Sequence, residues 1–203
     1  LAMIRVLYGI VVVLIVAVFW QISAMSRAYD FLENGSGIGA FGAARDKADV
    51  TLLAFVDYTS SFSQDINADL LQAAEDDGRT RVRFYPLPQP SDPSMRAAKL
   101  IIAAANQGKY LVMHDELMRN DRPLTDEVVR EIASRQGIDA EKLLADEKSQ
   151  NVAARLTGII NASRKLRVEY TPSVIANRKI MFYSPDVPAD VVQFRKLIQE
   201  SRS

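Results

Sequence analysis

At 203 residues the chain is long enough for one domain of ordinary size plus an appendage, and with 48% hydrophobic residues it can build a full core. Lys plus Arg (25) balances Asp plus Glu (25), so no excess positive field gathers phosphate backbones, and nucleic acid is excluded as a partner class. The complete absence of cysteine rules out disulfides, thiolate metal sites and thiol chemistry, and removes the usual sequence guide to redox compartment.

The first element in chain order is apolar. From Val6 to Trp20 the sequence VLYGIVVVLIVAVFW carries no charge, and with Ile4 and Ile22 at its edges it approaches the roughly 20 residues that cross a bilayer. Residues 4–22 are predicted to be a transmembrane anchor. Arg5 on the short N-terminal side favours an N-in orientation, which places the rest of the chain outside the cytoplasm. A cleaved signal peptide also fits a basic start, an apolar stretch and the small-x-small site Ser26-Arg27-Ala28. The apolar run, however, exceeds the roughly 7 to 15 residues of a signal h-region.

Residues 23–47 read as a flexible glycine-rich linker, centred on Asn34-Gly35-Ser36-Gly37-Ile38-Gly39-Ala40-Phe41-Gly42. Its isolated Ile38 and Phe41 are candidates to dock on a partner, the plainer alternative being a simple tether. The domain proper is expected over 48–203. Val50 to Val56 is a continuous apolar run of strand length, ended by Asp57. Ser61 to Glu75 places Phe62, Ile66, Leu70 and Ala73 at helical spacing, and Asp77-Gly78 stops it. Arg81 to Leu87 alternates polar and apolar residues, completing a β-α-β unit. Residues 92–166 are helical throughout, with Pro93 in a first turn, Gly108 and Gly137 at helix ends, and Thr125, Asp139 and Ser149 as caps. Ser173 to Ala176 and Lys179 to Tyr183 flank Asn177-Arg178 as a hairpin, and Pro188 to Ser201 is a closing amphipathic helix.

The order β-α-β, helical insertion, β-β-α is that of an α/β thioredoxin fold with an inserted helical domain, and particular segments carry a closer likeness. Phe55-Val56-Asp57-Tyr58 runs into Thr59-Ser60-Ser61-Phe62-Ser63-Gln64; Gln107-Gly108-Lys109-Tyr110 precedes Met113-His114-Asp115-Glu116-Leu117-Met118; and Tyr170-Thr171-Pro172-Ser173-Val174 follows. These three segments, in this order, resemble the DsbA family from about Ala48 to the C-terminus. The resemblance implies a cis proline at Pro172, and it puts Ser60 and Ser63 where the family's Cys-x-x-Cys stands. In the family the first cysteine reacts as a helix-stabilised thiolate and the second resolves the mixed disulfide. Serine supplies neither step, since its hydroxyl stays protonated near neutral pH without a base. The hairpin also has Phe182-Tyr183 where the family usually has a glycine.

Other chemistry weighs less. A hydrolytic reading would pair Ser60 or Ser63 with His114 as base and Asp57 or Asp115 as orienter, but no nucleophile-elbow motif surrounds either serine. Helix capping is the simpler role for the serines, and packing or capping for His114. Asp57 ends a buried strand, where desolvation would raise its pKa, although a paired or partly solvated carboxylate is the plainer expectation. Glu75, Asp76 and Asp77, with Arg79, Arg81 and Arg83, read as solvated turn and strand-edge charges. Nothing in the sequence resembles a metal cluster, a phosphate loop or a dinucleotide fingerprint, so no metal, cofactor or small-molecule substrate is expected.

What outlasts loss of the cysteines is a peptide-facing surface, in which Ser60, Phe62, Thr171 and Pro172 line one groove and the Thr171 backbone pairs with an extended chain. The expected function is a redox-inactive, membrane-anchored subunit, adaptor or scaffold of an envelope complex, with transport or secretion as the candidate setting. It would be held in a bacterial inner membrane by one helix, with its domain in the periplasm and other membrane or envelope proteins as partners. Two alternatives stand beside it. One is a thiol-disulfide oxidoreductase whose cysteines are replaced at Ser60 and Ser63; the other is a periplasmic peptide-binding chaperone.

Overall fold

The computed structural model describes residues 2–35, 38–176, 179–183 and 189–202. The apolar start forms a helix longer than the apolar run itself. Helix α1 spans Ala2–Asp30 and continues into a π-helical turn, Phe31–Gly35. Leu7, Ile10, Leu14, Phe19 and Trp20 stand exposed, and the helix is long and apolar enough to cross a membrane. It runs unbroken through Ser26–Ala28, and its last turns change character, with Ala28, Tyr29 and Leu32 buried in the domain core.

The domain is built on a five-stranded mixed sheet. Strands β1 (Phe41–Gly42), β2 (Val50–Val56), β3 (Thr80–Pro86), β4 (Ser173–Ala176) and β5 (Lys179–Phe182) lie in the order β1-β3-β2-β4-β5. β2 and β3 run parallel, with Leu52 opposite Val82 and Phe55 opposite Tyr85. Their crossover is helix α2 (Ser61–Asp77). β4 is antiparallel to β2, with Phe55 opposite Ser173. Between β3 and β4 come α3 (Asp92–Ala105), α4 (Tyr110–Arg119), α5 (Asp126–Gln136), α6 (Ala140–Glu147) and α7 (Gln150–Lys165), and α8 (Val191–Glu200) closes the chain. Both faces of the central strands are covered, which is why β2 reads as continuous rather than alternating apolar sequence. Thr125, Asp139 and Ser149 each accept a hydrogen bond from a backbone N–H of the following turn, as their spacing predicts. The closing helix begins at Val191 rather than Pro188, because Asp190 and Gln193 form a reciprocal capping box there. The predicted turn residues Asn177-Arg178, and Pro188, lie outside the described residues.

The stretch expected to be a flexible linker is largely bound to the domain. Ile38 is buried, and Phe41 pairs with Val82 in β1 while its ring meets Phe84 edge-on at 5.7 Å. Both residues therefore dock on their own chain. The latch is made by β3. The buried Arg83 guanidinium donates to the Ile38 carbonyl at 2.6 Å and, through Nη1, to the Glu33 carbonyl; the Tyr85 hydroxyl donates to the Leu32 carbonyl. A helix end carries carbonyls with no intrahelical partner, and here two side chains of the sheet satisfy them. This corrects the reading of Arg83 as a solvated charge: the backbone at Glu33 and at Ile38 meets its guanidinium, which is buried. Of the flanking charges, Arg79 pairs with Asp49, Asp76 with Arg195 and Asp77 with Arg202, whereas Arg81 has its Nε buried without a hydrogen bond among the described residues. The Arg202 guanidinium holds the Asp77 carboxyl down to about 2.

Gly42 is required rather than merely permissive. Its φ is +81°, and an added Cβ would lie 2.5 Å from the Thr80 carbonyl oxygen. Gly42→Ala is expected to cost at least about 1 kcal/mol from the left-handed conformation alone, with the backbone clash adding to it. Denaturant unfolding of the full chain in detergent reads this as a lowered midpoint with unchanged m.

Candidate functional site

The junction between β2 and α2 is organised by Asp57. Its carboxylate, nearly inaccessible to solvent, accepts from the Thr59 N–H at 2.9 Å and the Thr59 hydroxyl at 2.8 Å, with the Gln89 N–H at 3.4 Å. Its own N–H donates to the Ser63 hydroxyl at 3.1 Å. Asp57 is thus the hydrogen-bonded carboxylate that the sequence favoured, and it braces the strand-to-helix turn.

The two serines divide in role. Ser63 is fully buried and spends its oxygen on the Asp57 N–H. Ser60 occupies the N-cap position of α2 in extended conformation, but its side chain makes no capping bond. Capping by the serines, the simple expectation, therefore does not occur. The helix start at position 60 keeps its unsatisfied N–H groups, the setting that stabilises an anion there. Phe62, one residue into the helix, is 42% exposed.

The strand register brings the loop before β4 to the same end of the sheet. Because Ser173 lies opposite Phe55, Pro172 falls level with Val56, the last residue of β2, and Thr171 lies beyond it toward the turn that carries Ser60. The Thr171–Pro172 peptide is cis, as the resemblance implied. Pro172 is buried, its carbonyl accepting from the Tyr183 N–H at 3.3 Å, and Thr171 is half-buried. Beside this end, on the side of the helical insertion, a cleft of about 680 Å³ opens between the start of α2 (Tyr58, Ser61, Gln64) and the segment after α4 (Asn120, Arg122, Leu124). Ser60, Phe62, Thr171 and Pro172 are not among the residues lining it. The cleft was not legible in sequence, since its two walls come from segments some 60 residues apart and only packing joins them. Its arginines are already engaged, Arg96 with Asp126 and Arg122 with Glu131 at 3.0 Å.

His114 has no access to either serine's chemistry. It is fully buried, with Nδ1 2.9 Å from the Tyr58 hydroxyl, Nε2 3.0 Å from the Asn67 side-chain oxygen, and its ring 4.1 Å from that of Phe84. With Nε2–H donating to Asn67 and Nδ1 accepting from Tyr58, both nitrogens are used by packing partners. Burial lowers its pKa to about 3. The folded state therefore refuses a proton that the unfolded state accepts below about 6.5, so this contribution to stability is complete above that pH and is lost as pH falls toward 3. As the chain's single histidine, it should give a slope of about 1.4 kcal/mol per pH unit between roughly pH 6 and 5, before carboxylates titrate. Unfolding free energies of wild type and His114→Gln across that range check this; the variant should lose the slope.

Fold and site together define a thioredoxin-fold domain with a helical insertion, carried on a helix long and apolar enough to span a membrane, and lacking the thiols such domains use. The family model for a DSBA-like thioredoxin domain matches residues 51–193, and the chain belongs to that family. Among solved structures, a thioredoxin-like oxidoreductase from Silicibacter pomeroyi DSS-3 is 26% identical, with TM-score 0.73 over 85% of this chain and 96% of that one. The thiol-disulfide exchange protein alpha-DsbA2 from Wolbachia pipientis is 22% identical, with TM-score 0.74 over 89% of this chain and 95% of that one. The catalytic domain of Proteus mirabilis ScsC is 19% identical, with TM-score 0.73 over 89% of this chain and 97% of that one. Among curated proteins none matches in sequence.

Proposed function

We propose that the chain is a redox-inactive, membrane-anchored adaptor: a non-catalytic subunit of an envelope protein assembly, with its domain on the periplasmic side of a bacterial inner membrane. The observation that carries this reading is the coexistence, at one end of the sheet, of an uncapped helix start at Ser60, an exposed Phe62 and a cis Thr171–Pro172 loop, in a chain without cysteine. The surface that would face an extended peptide is kept while the reactive groups are gone. The latch of Arg83 and Tyr85 onto the end of the spanning helix adds support, because a scaffold needs its domain held in a fixed attitude to the membrane.

Ser60, Phe62, Thr171 and Pro172 are the proposed partner-facing residues, with the Thr171 backbone pairing with a partner strand. Photo-crosslinking from position 62 in native membranes is expected to yield one discrete product, reduced at least tenfold by Thr171→Pro with thermal stability kept. A broad ladder of products would instead point to a chaperone, and a discrete product indifferent to Thr171→Pro would remove this surface from the account.

A further inference from the structure

The spanning helix and the domain meet in a region with its own chemistry. The apolar run of α1 ends at Ile22, and at 1.5 Å per residue Arg27 lies about 7.5 Å further along the axis, within the depth of a headgroup layer of roughly 5 to 8 Å on each side of the hydrocarbon. Helix α7 descends alongside. Phe31 packs on Gly158 and shares a shallow hollow with Arg27, Asn161 and Lys165, whereas Ile22 and Met25, further back along α1, meet Leu166 just past the end of α7. Moving back down α1 thus corresponds to moving forward along α7, so the C-terminal end of α7 faces the bilayer. Just below, Ile22, Met25, Leu166, Ile175 and Ile180 line an apolar crevice of about 150 Å³.

Cations gather around this foot. Arg27 and Lys165 share the hollow, Arg164 and Arg167 are exposed next to and two residues past Lys165 in sequence, and none of the four is ion-paired among the described residues. Elsewhere on the domain Arg79, Arg96, Arg122, Arg130, Arg135 and Arg202 face carboxylates, while Arg45 bonds the Asn34 side-chain oxygen instead. The nearest acids in sequence are the exposed Asp30, about one turn along α1 from Arg27, and the exposed Glu169 after α7. Arg167 is also held at φ +60°, in the left-handed position after α7 where glycine costs least.

We infer that the foot of the domain is a binding site for an anionic phospholipid, the headgroup phosphate held by Arg27, Lys165 and Arg167 and the upper part of one acyl chain lying in the crevice between Ile22, Leu166 and Ile180. The inference rests on α1 crossing the bilayer and is independent of the adaptor reading. Lipid binding would fix the domain against the membrane from below, as the Arg83 latch fixes it from above.

The test is native mass spectrometry of the full chain, delipidated in detergent and titrated with phosphatidylglycerol, phosphatidylcholine or the chain-free headgroup glycerophosphoglycerol. The wild type should retain phosphatidylglycerol over phosphatidylcholine, and affinity should fall roughly fivefold per charge removed, hence about a hundredfold in Arg27→Gln/Lys165→Gln/Arg167→Gly. Arg167→Gly alone should weaken lipid retention while raising the thermal midpoint, because it relieves the left-handed strain; lipid loss then cannot be ascribed to unfolding. Equal retention of the two lipids, or a charge-depleted variant that binds like wild type, overturns the inference. So does binding of the chain-free headgroup as tightly as the lipid, which would make the site one for a soluble anion.

Discussion

Replacing Arg83 with methionine is expected to lower the stability of the full chain by about 3 to 5 kcal/mol. The substitution keeps the apolar stem but deletes a guanidinium that donates to the Glu33 and Ile38 carbonyls, and a hydrogen bond to a charged group contributes about 1.5 to 3 kcal/mol. The carbonyls would be stranded under a covered face of the sheet, so relaxation cannot simply hydrate them. For a domain of this size about 2 to 4 °C is lost per kcal/mol, which predicts a thermal midpoint about 10 °C lower. The loss should be local as well as global: amide exchange over residues 38–42 accelerates in the variant, since Phe41 and Gly42 hold to β3 by only a two-residue strand. An unchanged midpoint with unchanged exchange would mean that the end of α1 is fixed by other contacts and that Arg83 is incidental.

The second large effect is a gain. The unaltered chain should show no thiol-disulfide exchange, because a serine hydroxyl near neutral pH is neither an effective nucleophile without a base nor able to form a disulfide. Ser60→Cys/Ser63→Cys is expected to create that activity. Position 60 sits at the uncapped start of α2, where helix N–H groups stabilise a thiolate, and position 63 is buried behind it with a backbone donor from Asp57. In the single variant Ser60→Cys, the rate of reaction with a disulfide reagent as a function of pH should report a thiol titrating below the ordinary value of about 8.5. A thiol titrating at or above that value, in a variant that folds normally, would show that the loop has been rebuilt beyond its two side chains.

These expectations depend on features that were unequally visible in the sequence. β2, α2, β3 and the caps at Thr125, Asp139 and Ser149 were legible because strand and helix periodicity and N-cap chemistry are local. The cis Thr171–Pro172 bond came from family resemblance, not from local pattern. The segment 23–47 was misread for a physical reason. Glycine-rich composition signals flexibility when nothing packs on it, but Gly39 approaches the Leu111 side chain and Gly42 lies against the Thr80 backbone, so these glycines mark close approach. Arg83 was misread because alternation along β3 gives the face of a residue and not what covers that face. The covering atoms, on Glu33 and Ile38, lie 50 and 45 residues away in sequence. β1, with two residues, is too short for any period. His114 was placed correctly as a packed residue, although its partners Tyr58 and Asn67, roughly 50 residues upstream, became visible only in the fold.

The proposed adaptor role draws on the Arg83 and Tyr85 latch at the end of α1, the brace at Asp57 and the cis Thr171–Pro172 end of the sheet in a chain without thiols. The most direct test is purification of the full-length chain from its native membrane in mild detergent, with quantitative mass spectrometry of what accompanies it. The account predicts one or a few membrane or envelope proteins in fixed ratio to the chain, undiminished by reductant. Recovery of the chain alone, or with a heterogeneous set of unrelated proteins in no fixed ratio, would contradict it.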